Sequence, residues 1–246
     1  MKVYRITNKK QSWYGESVGI LILDAAYPCI PGNVGNASSF SFPVRYKVVK
    51  GASIDRLLKK RDMTLLEFFI NAALELQEEG VKAITGACGF MALFQREVSD
   101  VAKVPVFLSS LLQIPFIYQI LNRKRKIGII TADSKSLTPD HFISVGISDE
   151  IPLVIRGMED QKEFREAVLE EKGSLDSDLI ENEVLSVARE LVTNNPDAGA
   201  ILLECSDLPP YAHAIQVEFN LPVFDFTTMI QYVHTALVRK EFQGFM

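Results

Sequence analysis

The sequence predicts an α/β protein with two similar lobes, each a roughly four-stranded parallel sheet flanked by helices, and an active site in the cleft between them. Short apolar runs alternate with longer amphipathic segments, which is typical of parallel strands joined by helices. This pattern begins again near residue 124, and no Gly/Ser linker separates the two halves. We therefore expect a first lobe of residues 1–123 and 227–246 and a second lobe of residues 124–226.

The first half contains four strand candidates and three helix candidates. The apolar run at 19–23 predicts a strand, and 45–49 predicts a weaker one. Thr64 and Glu67 have the spacing of a capping box, which predicts a helix from Thr64 to Glu79. The remaining predictions are strands at 81–85 and 104–108 and helices at 90–101 and 111–121.

The second half repeats this alternation of predicted strands and helices. A buried strand is predicted at 126–131, where an apolar run leads into the polar residues that follow Thr131. A helix is predicted over 177–194, and Pro196 lies just beyond its end, where a helix cannot continue. The other predictions are strands at 151–155, 198–203 and 222–224 and a C-terminal helix at 227–240.

Composition and charge exclude several classes of protein. Hydrophobic residues make up 48% of the 246 residues, enough for a sizeable core, and the net charge is -5. The short basic run at 123–126 is not the concentrated positive face that nucleic-acid binding needs, so we expect no nucleic-acid partner. No apolar stretch approaches the roughly 20 residues of a membrane span, and no signal sequence is visible. We expect a cytoplasmic protein with no membrane partner.

The three cysteines of the chain are the candidates for metal binding or catalysis. Cys29, Cys88 and Cys205 show no metal-binding spacing, and the three histidines are scattered, so we expect no metal site. Cys88 follows the strand at 81–85 and Cys205 follows the strand at 198–203, so the two hold equivalent places in the two halves.

The ends of parallel strands are where α/β proteins bind ligands, and two such edges facing each other would bring the thiols of Cys88 and Cys205 into one cleft. A helix N-terminus after each cysteine predicts a lowered thiol pKa. The alternative is that each cysteine is a small buried apolar residue, which is our interpretation of Cys29.

Other polar residues lie at predicted strand ends. The loop at 31–39 is rich in Gly and Asn, and its backbone N–H groups with Asn33 can hold a carboxylate, although a surface turn explains it equally well. Thr85, before the first cysteine, can orient a thiol or hold a carboxylate, and Thr131 ends a strand of the second half. Arg45 can pair with a second carboxylate or be a surface residue.

The two cysteine motifs resemble those of the aspartate/glutamate racemase superfamily. The matching segments are 84–89 (Ile-Thr-Gly-Ala-Cys-Gly) and 202–207 (Leu-Leu-Glu-Cys-Ser-Asp). The segment 19–52, with Pro-Gly-Asn-Val-Gly-Asn and Pro-Val-Arg-Tyr, resembles a poorly characterised branch of that superfamily. The resemblance implies two lobes related by a pseudo-twofold axis, a C-terminal helix that returns to the first lobe, and a mechanism without a cofactor.

The motifs depart from the racemase pattern in two places. Gly89 and Phe90 stand where the amino-acid racemases usually have Asn and then Thr or Ser, which removes two expected substrate contacts and suggests a less polar pocket. Ser206 and Asp207 stand where Thr-His or Thr-Glu is usual, and Ser206 can replace Thr as a hydroxyl donor. These departures leave the substrate open.

The resemblance implies a cofactor-independent racemase or epimerase that acts at a carbon α to a carboxylate, with Cys88 and Cys205 as the two acid/base groups. One thiolate would remove the α-proton and the other thiol would return a proton from the opposite face. The expected ligand is a small carboxylate. The expected substrate-binding residues are Asn33, Arg45, Thr85, Gly89, Thr131, Ser206 and Asp207.

Two alternatives to the racemase remain open. A lyase such as a decarboxylase, or a cis–trans isomerase, can use a single cysteine as proton donor or nucleophile. A non-catalytic small-molecule binding protein is the third hypothesis. The apolar helix at 111–121 can form a homodimer interface or be buried between the lobes.

Overall fold

The computed structural model describes residues 3–6, 8 and 11–246, and it contains two four-stranded parallel sheets. The strands are β1 (Val18–Leu23), β2 (Val44–Val49), β3 (Ala83–Gly86), β4 (Val106–Phe107), β5 (Lys126–Thr131), β6 (Leu153–Gly157), β7 (Ala198–Leu203) and β8 (Val223–Phe224). The helices are α1 (Leu66–Glu78), α2 (Gln95–Val101), α3 (Ile114–Ile120), α4 (Pro139–Ser144), α5 (Lys162–Phe164), α6 (Ser177–Asn194), α7 (Ala212–Phe219) and α8 (Phe226–Leu237).

The two sheets have the same strand order. The first runs β2-β1-β3-β4 and the second runs β6-β5-β7-β8, with every neighbouring pair parallel. The central strands are apolar along almost their whole length because helices cover both faces of each sheet. The predicted fold of two similar α/β lobes is confirmed, and β3 and β7 occupy the same place in the two sheets.

Several element starts differ from the sequence prediction. The cap of the first long helix is Asp62, whose side chain accepts the N–H of Thr64, and a 3-10 turn at Met63–Leu65 precedes α1, so Thr64 is not the cap. The prediction of a strand from Ile151 is also wrong, because Pro152 has no N–H to donate and β6 begins after it.

Two π-helical turns are features that the sequence did not predict. They span Asp55–Lys59 in the first lobe and Arg165–Leu169 in the second, at equivalent places after β2 and β6. Each is followed by a non-glycine residue with positive φ, Arg61 at 48° and Glu171 at 54°. Single π turns of this kind occur frequently at functional sites.

The C-terminal helix α8 packs against the first sheet. Asp225 caps it in a capping box with Thr228. Phe226 and Ile230 of α8 share a buried cluster with Val18 of β1. We propose the division into residues 1–123 with 227–246 and residues 124–226 as the bounds of the two lobes.

Across residues 3–6, 8 and 11–246, no helix combines the length and apolar character that crossing a bilayer requires.

Candidate active site

The thiols of Cys88 and Cys205 lie at equivalent positions of the two sheets. Cys88 comes two residues after β3 ends at Gly86, and Cys205 comes two residues after β7 ends at Leu203. Both cysteines line the same cavity. The structure therefore brings the two cysteines to one cavity, as the sequence predicts.

The cavity between the thiols is small. Its volume is about 20 Å³, room for roughly one water molecule. Ile54 and Leu58 line it from the first π-helical turn and its N-cap, and Val168 and Leu169 line it from the second. A ligand larger than water therefore requires these apolar side chains to move. The other lining residues are Leu23, Tyr27, Ala87, Cys88, Gly89, Phe90, Ala132, Glu204, Cys205, Ser206 and Asp207.

The Cys205 thiol belongs to a hydrogen-bonded group around Asp207. The thiol donates to Asp207 Oδ2 at 3.3 Å, and Asn33 Nδ2 donates to Asp207 Oδ1 at 2.5 Å. The hydroxyl of Tyr27 lies 3.5 Å from Asp207 Oδ2. Burial raises the pKa of Asp207 although these three donors lower it. Asp207 is thus placed to accept the proton of Cys205.

The Cys88 thiol has a different environment. Cys88 is the N-cap residue of the 3-10 turn at Gly89–Phe94, and its carbonyl oxygen, not its sulfur, accepts the Met91 N–H at 3.1 Å. The backbone N–H groups of Phe90 and Met91 lie near the sulfur. These N–H groups lower the thiol pKa, but burial and the neighbouring Glu204 raise it by more, so the pKa of Cys88 lies well above its usual range.

The same balance holds at Cys205, where burial, Asp207 and Glu204 raise the pKa well above its usual range. The prediction that helix N-termini lower the pKa of both thiols is therefore wrong. A 3-10 turn follows Cys88, but no helix begins at Cys205, where the nearby backbone donor is the N–H of Asp207. At both thiols desolvation and two nearby carboxyl groups outweigh the backbone donors. Without a ligand both cysteines are thiols at neutral pH.

Glu204 is a site residue that the sequence analysis missed. Its side chain is fully buried, lines the cavity, and accepts a hydrogen bond at Oε2 from the Thr131 hydroxyl at 2.8 Å. The other oxygen, Oε1, is buried without a hydrogen-bond partner in the described part of the chain. Burial raises the pKa of Glu204 to about 8. A carboxyl directly after the apolar strand β7 was the available signal.

Of the predicted substrate-binding residues, three line the cavity and two support it from behind. Gly89, Ser206 and Asp207 are lining residues, and the Ser206 hydroxyl donates to the carbonyl of Ala87 at 2.7 Å. Asn33 and Thr131 do not line the cavity; they donate to the carboxyls of Asp207 and Glu204, respectively.

The other two predicted residues lie elsewhere. The Thr85 hydroxyl donates to the carbonyl of Phe107 at 2.7 Å, inside the first sheet. Arg45 pairs with Glu79 at 2.6 Å, and its guanidinium lies 4.9 Å from the centre of the Trp13 ring. The structure therefore does not bring Thr85 or Arg45 to the thiols.

The charge of the cavity wall is acidic or neutral. Among the described lining residues, none is Lys, Arg or His, whereas two are carboxylic acids, two are thiols and one is a phenol. A ligand with only negative charge would meet no compensating cation, whereas a cationic group can approach Asp207 and the Tyr27 ring. The site therefore suits a ligand that carries a positive charge.

Comparison with curated proteins points to one group of relatives. A dimethylsulfoniopropionate lyase of Durusdinium sp. clade D is 32% identical over 215 residues, which cover 85% of this chain and 71% of that protein. Dimethylsulfoniopropionate lyase 3 of Emiliania huxleyi is 35% identical over 231 residues, covering 90% of this chain and 60% of the longer relative. No protein-family model matches the chain.

Solved structures with the same fold include racemases and a decarboxylase. A variant of arylmalonate decarboxylase superposes with a TM-score of 0.63 at 15% identity, covering 90% of this chain and 92% of that one. Allantoin racemase of Pseudomonas fluorescens has a TM-score of 0.61 at 14% identity, covering 90% and 91%. Aspartate racemase of Picrophilus torridus has a TM-score of 0.59 at 15% identity, covering 92% and 96%. The fold is that of the aspartate/glutamate racemase superfamily, as the cysteine motifs predict.

Proposed function

Since the chain belongs to the dimethylsulfoniopropionate lyase family, we propose that it is a lyase that breaks the carbon–sulfur bond of dimethylsulfoniopropionate or a close sulfonium analogue. The chain aligns with 60% of the longer relative from Emiliania huxleyi, so we infer the substrate from the site as well as from the activity of the relatives.

This family membership corrects the predicted activity. The expectation of a racemase or epimerase, and with it the isomerase class, is wrong, because the curated relatives at 32–35% identity are lyases. The alternative of a lyase on the same scaffold is the better hypothesis. The racemase-like motifs indicated the fold correctly, but one fold hosts several chemistries.

The observation that carries the proposal is the wall of the cysteine cavity. Dimethylsulfoniopropionate has a carboxylate at one end and a sulfonium cation at the other. Once the apolar side chains over the cavity move, the cation can lie beside Asp207 and the Tyr27 ring, in a site whose described lining residues include no basic side chain. A substrate with a carboxylate alone would gain no such contact.

The chemistry follows from the position of the leaving group. The sulfonium is attached to the carbon β to the carboxylate, so removal of an α-proton lets a double bond form as the carbon–sulfur bond breaks. The bonding pair leaves with sulfur as dimethyl sulfide, and acrylate remains. The base keeps the α-proton, and the proton that the base gave up before the reaction passes to water, which returns the enzyme to its starting state.

We assign the base to Cys205. Asp207 Oδ2 lies 3.3 Å from its sulfur and can take the thiol proton, producing the thiolate that attacks the α-hydrogen. Burial and the nearby carboxyl groups raise the thiol pKa in the free enzyme, and a bound sulfonium favours ionisation because it offsets the charge of those groups. Elimination requires one base, so with Cys205 in that role Cys88 need not accept a proton.

The test is release of dimethyl sulfide into the headspace over purified enzyme and dimethylsulfoniopropionate, measured by gas chromatography. We expect activity in the unmodified protein, loss of at least 10³-fold in Cys205→Ser, and a smaller loss in Cys88→Ser. Cys29→Ser is the matched control, because Cys29 does not line the cysteine cavity. Absence of dimethyl sulfide from the unmodified protein, or full activity of Cys205→Ser, would refute the proposal.

A further inference from the structure

The carboxyl group of Glu204 has one oxygen engaged and one oxygen free. The Thr131 hydroxyl donates to Oε2 at 2.8 Å, and Oε1 is buried without a partner among the residues that the structure describes. When the carboxyl is neutral, its proton therefore sits on Oε1, the oxygen that Thr131 leaves free. A buried donor with no acceptor is costly, which indicates a group that a ligand completes.

The turn after Cys88 leaves room for this carboxyl. A Cβ atom at Gly89 would lie 2.0 Å from Glu204 Oε1 and 2.5 Å from the Glu204 carbonyl oxygen, so a side chain at position 89 and the present place of Glu204 exclude each other. The asparagine that the racemase motif expects after the first cysteine is thus replaced by a carboxyl from the other lobe. Glu204 can therefore occupy its present place only because residue 89 has no side chain.

Burial favours the neutral form of Glu204. Cys88, Cys205, Asp207 and Tyr27 share the cavity wall with it, and each is neutral or negative. Full burial raises the pKa of Glu204 to about 8, although the hydrogen bond from Thr131 lowers it. At neutral pH it is a carboxylic acid that can donate a hydrogen bond.

We propose that Glu204 donates a hydrogen bond from Oε1 to a carboxylate oxygen of the substrate, and so is a catalytic residue of the elimination. This inference rests on the proposed function and adds the group that recognises the carboxylate end. Negative charge grows on the carboxylate oxygens as the α-proton leaves, and a donor already in position stabilises that charge. With the sulfonium at Asp207 and the carboxylate at Glu204, the two acids hold opposite ends of one zwitterion.

Kinetics of two variants test the hydrogen bond. Glu204→Gln keeps the shape and retains a donor at every pH, so kcat/KM at pH 7 should stay within about tenfold of the unmodified protein. Ionisation of Glu204 should make kcat/KM of the unmodified protein decline at alkaline pH. Glu204→Gln should show no such decline. Glu204→Met removes the donor and should reduce kcat/KM by about 10²- to 10³-fold. Identical alkaline profiles for the unmodified protein and Glu204→Gln would overturn the inference.

Infrared difference spectroscopy tests it without turnover. The spectrum of the unmodified protein minus that of Glu204→Gln should contain the carbonyl band of a protonated carboxylic acid at pH 7, and acrylate should shift this band to lower frequency. A missing band, or a band that acrylate leaves unchanged, would overturn the inference. If the protein releases no dimethyl sulfide but acrylate shifts the band, the proposed reaction fails while the carboxylate-binding role of Glu204 stands.

Discussion

The buried carboxyl of Glu204 makes stability depend on pH in a way that Glu204→Gln should abolish. Burial raises the pKa of Glu204 from 4.5 to about 8, so between these pH values the folded chain holds a proton that the unfolded chain releases. The folded state binds more protons there, and the free energy of unfolding therefore falls as pH rises. The slope is about 1.4 kcal/mol per pH unit, and the whole interval corresponds to a contribution on the order of 5 kcal/mol.

The assay is urea unfolding followed by circular dichroism at several pH values from 4.5 to 8. The free energy of unfolding of the unmodified protein should fall, relative to Glu204→Gln, by several kcal/mol across this range. Glu78→Gln, which removes the same charge from an exposed position of α1, should run parallel to the unmodified protein. Parallel curves for the unmodified protein and Glu204→Gln would refute the claim that Glu204 is neutral in the folded state.

Three further predictions concern neighbouring residues. Gly89→Ala should lower the free energy of unfolding in urea by about 1–3 kcal/mol and remove most of the lyase activity, because its Cβ would lie 2.5 Å from the Glu204 carbonyl oxygen. Gly244→Ala is the control and should change neither, because a Cβ there would lie in open space. Burial lowers the pKa of His141 from 6.5 to about 4, so the unfolded chain binds a proton that the folded chain does not. Between pH 6.5 and 4 the free energy of unfolding should therefore fall by about 3 kcal/mol relative to His141→Gln, measured by urea unfolding. Ser206→Ala should cost about 1 kcal/mol in unfolding by removing the bond to Ala87, and a large loss of substrate affinity instead would mean that the hydroxyl binds substrate.

Much of the fold could be predicted because its signals are local. The apolar runs that became β5 and β7 and the periodic segment that became α6 carry their own patterns, and their bounds match the prediction. The π-helical turns at 55–59 and 165–169 have no such pattern, because packing of Leu58 and Val168 over the cavity is a tertiary effect.

The candidate site could also be predicted only in part. Placement of Cys88 and Cys205 at equivalent strand ends follows from sequence order alone. The partner of each polar group does not, because Thr131 reaches Glu204 across 73 positions of sequence and Asn33 reaches Asp207 across 174. Arg45 looked like a carboxylate ligand because neither Glu79 nor Trp13, its contacts in the structure, lies near it in sequence.

The prediction of lowered pKa values for the thiols was wrong because sequence position does not reveal burial. Sequence position indicates that backbone N–H groups lie beside Cys88, but it contains no information on how many atoms bury the sulfur. Activity was misjudged in a similar way. Two cysteines at equivalent strand ends satisfy the requirement for a racemase, yet a lyase can be built on the same pair.

The two sheets match strand for strand, but the acidic groups of the cavity do not. Glu204 and Asp207 both come from the second lobe and flank Cys205, whereas the turn at Cys88 supplies Gly89 and Phe90. The two sides of the bound substrate therefore meet different groups even though the architecture is nearly symmetric. A base on one side of the α-carbon distinguishes its two prochiral hydrogens, so substrate with deuterium at one of these positions should give acrylate that retains or loses the label according to which face Cys205 meets.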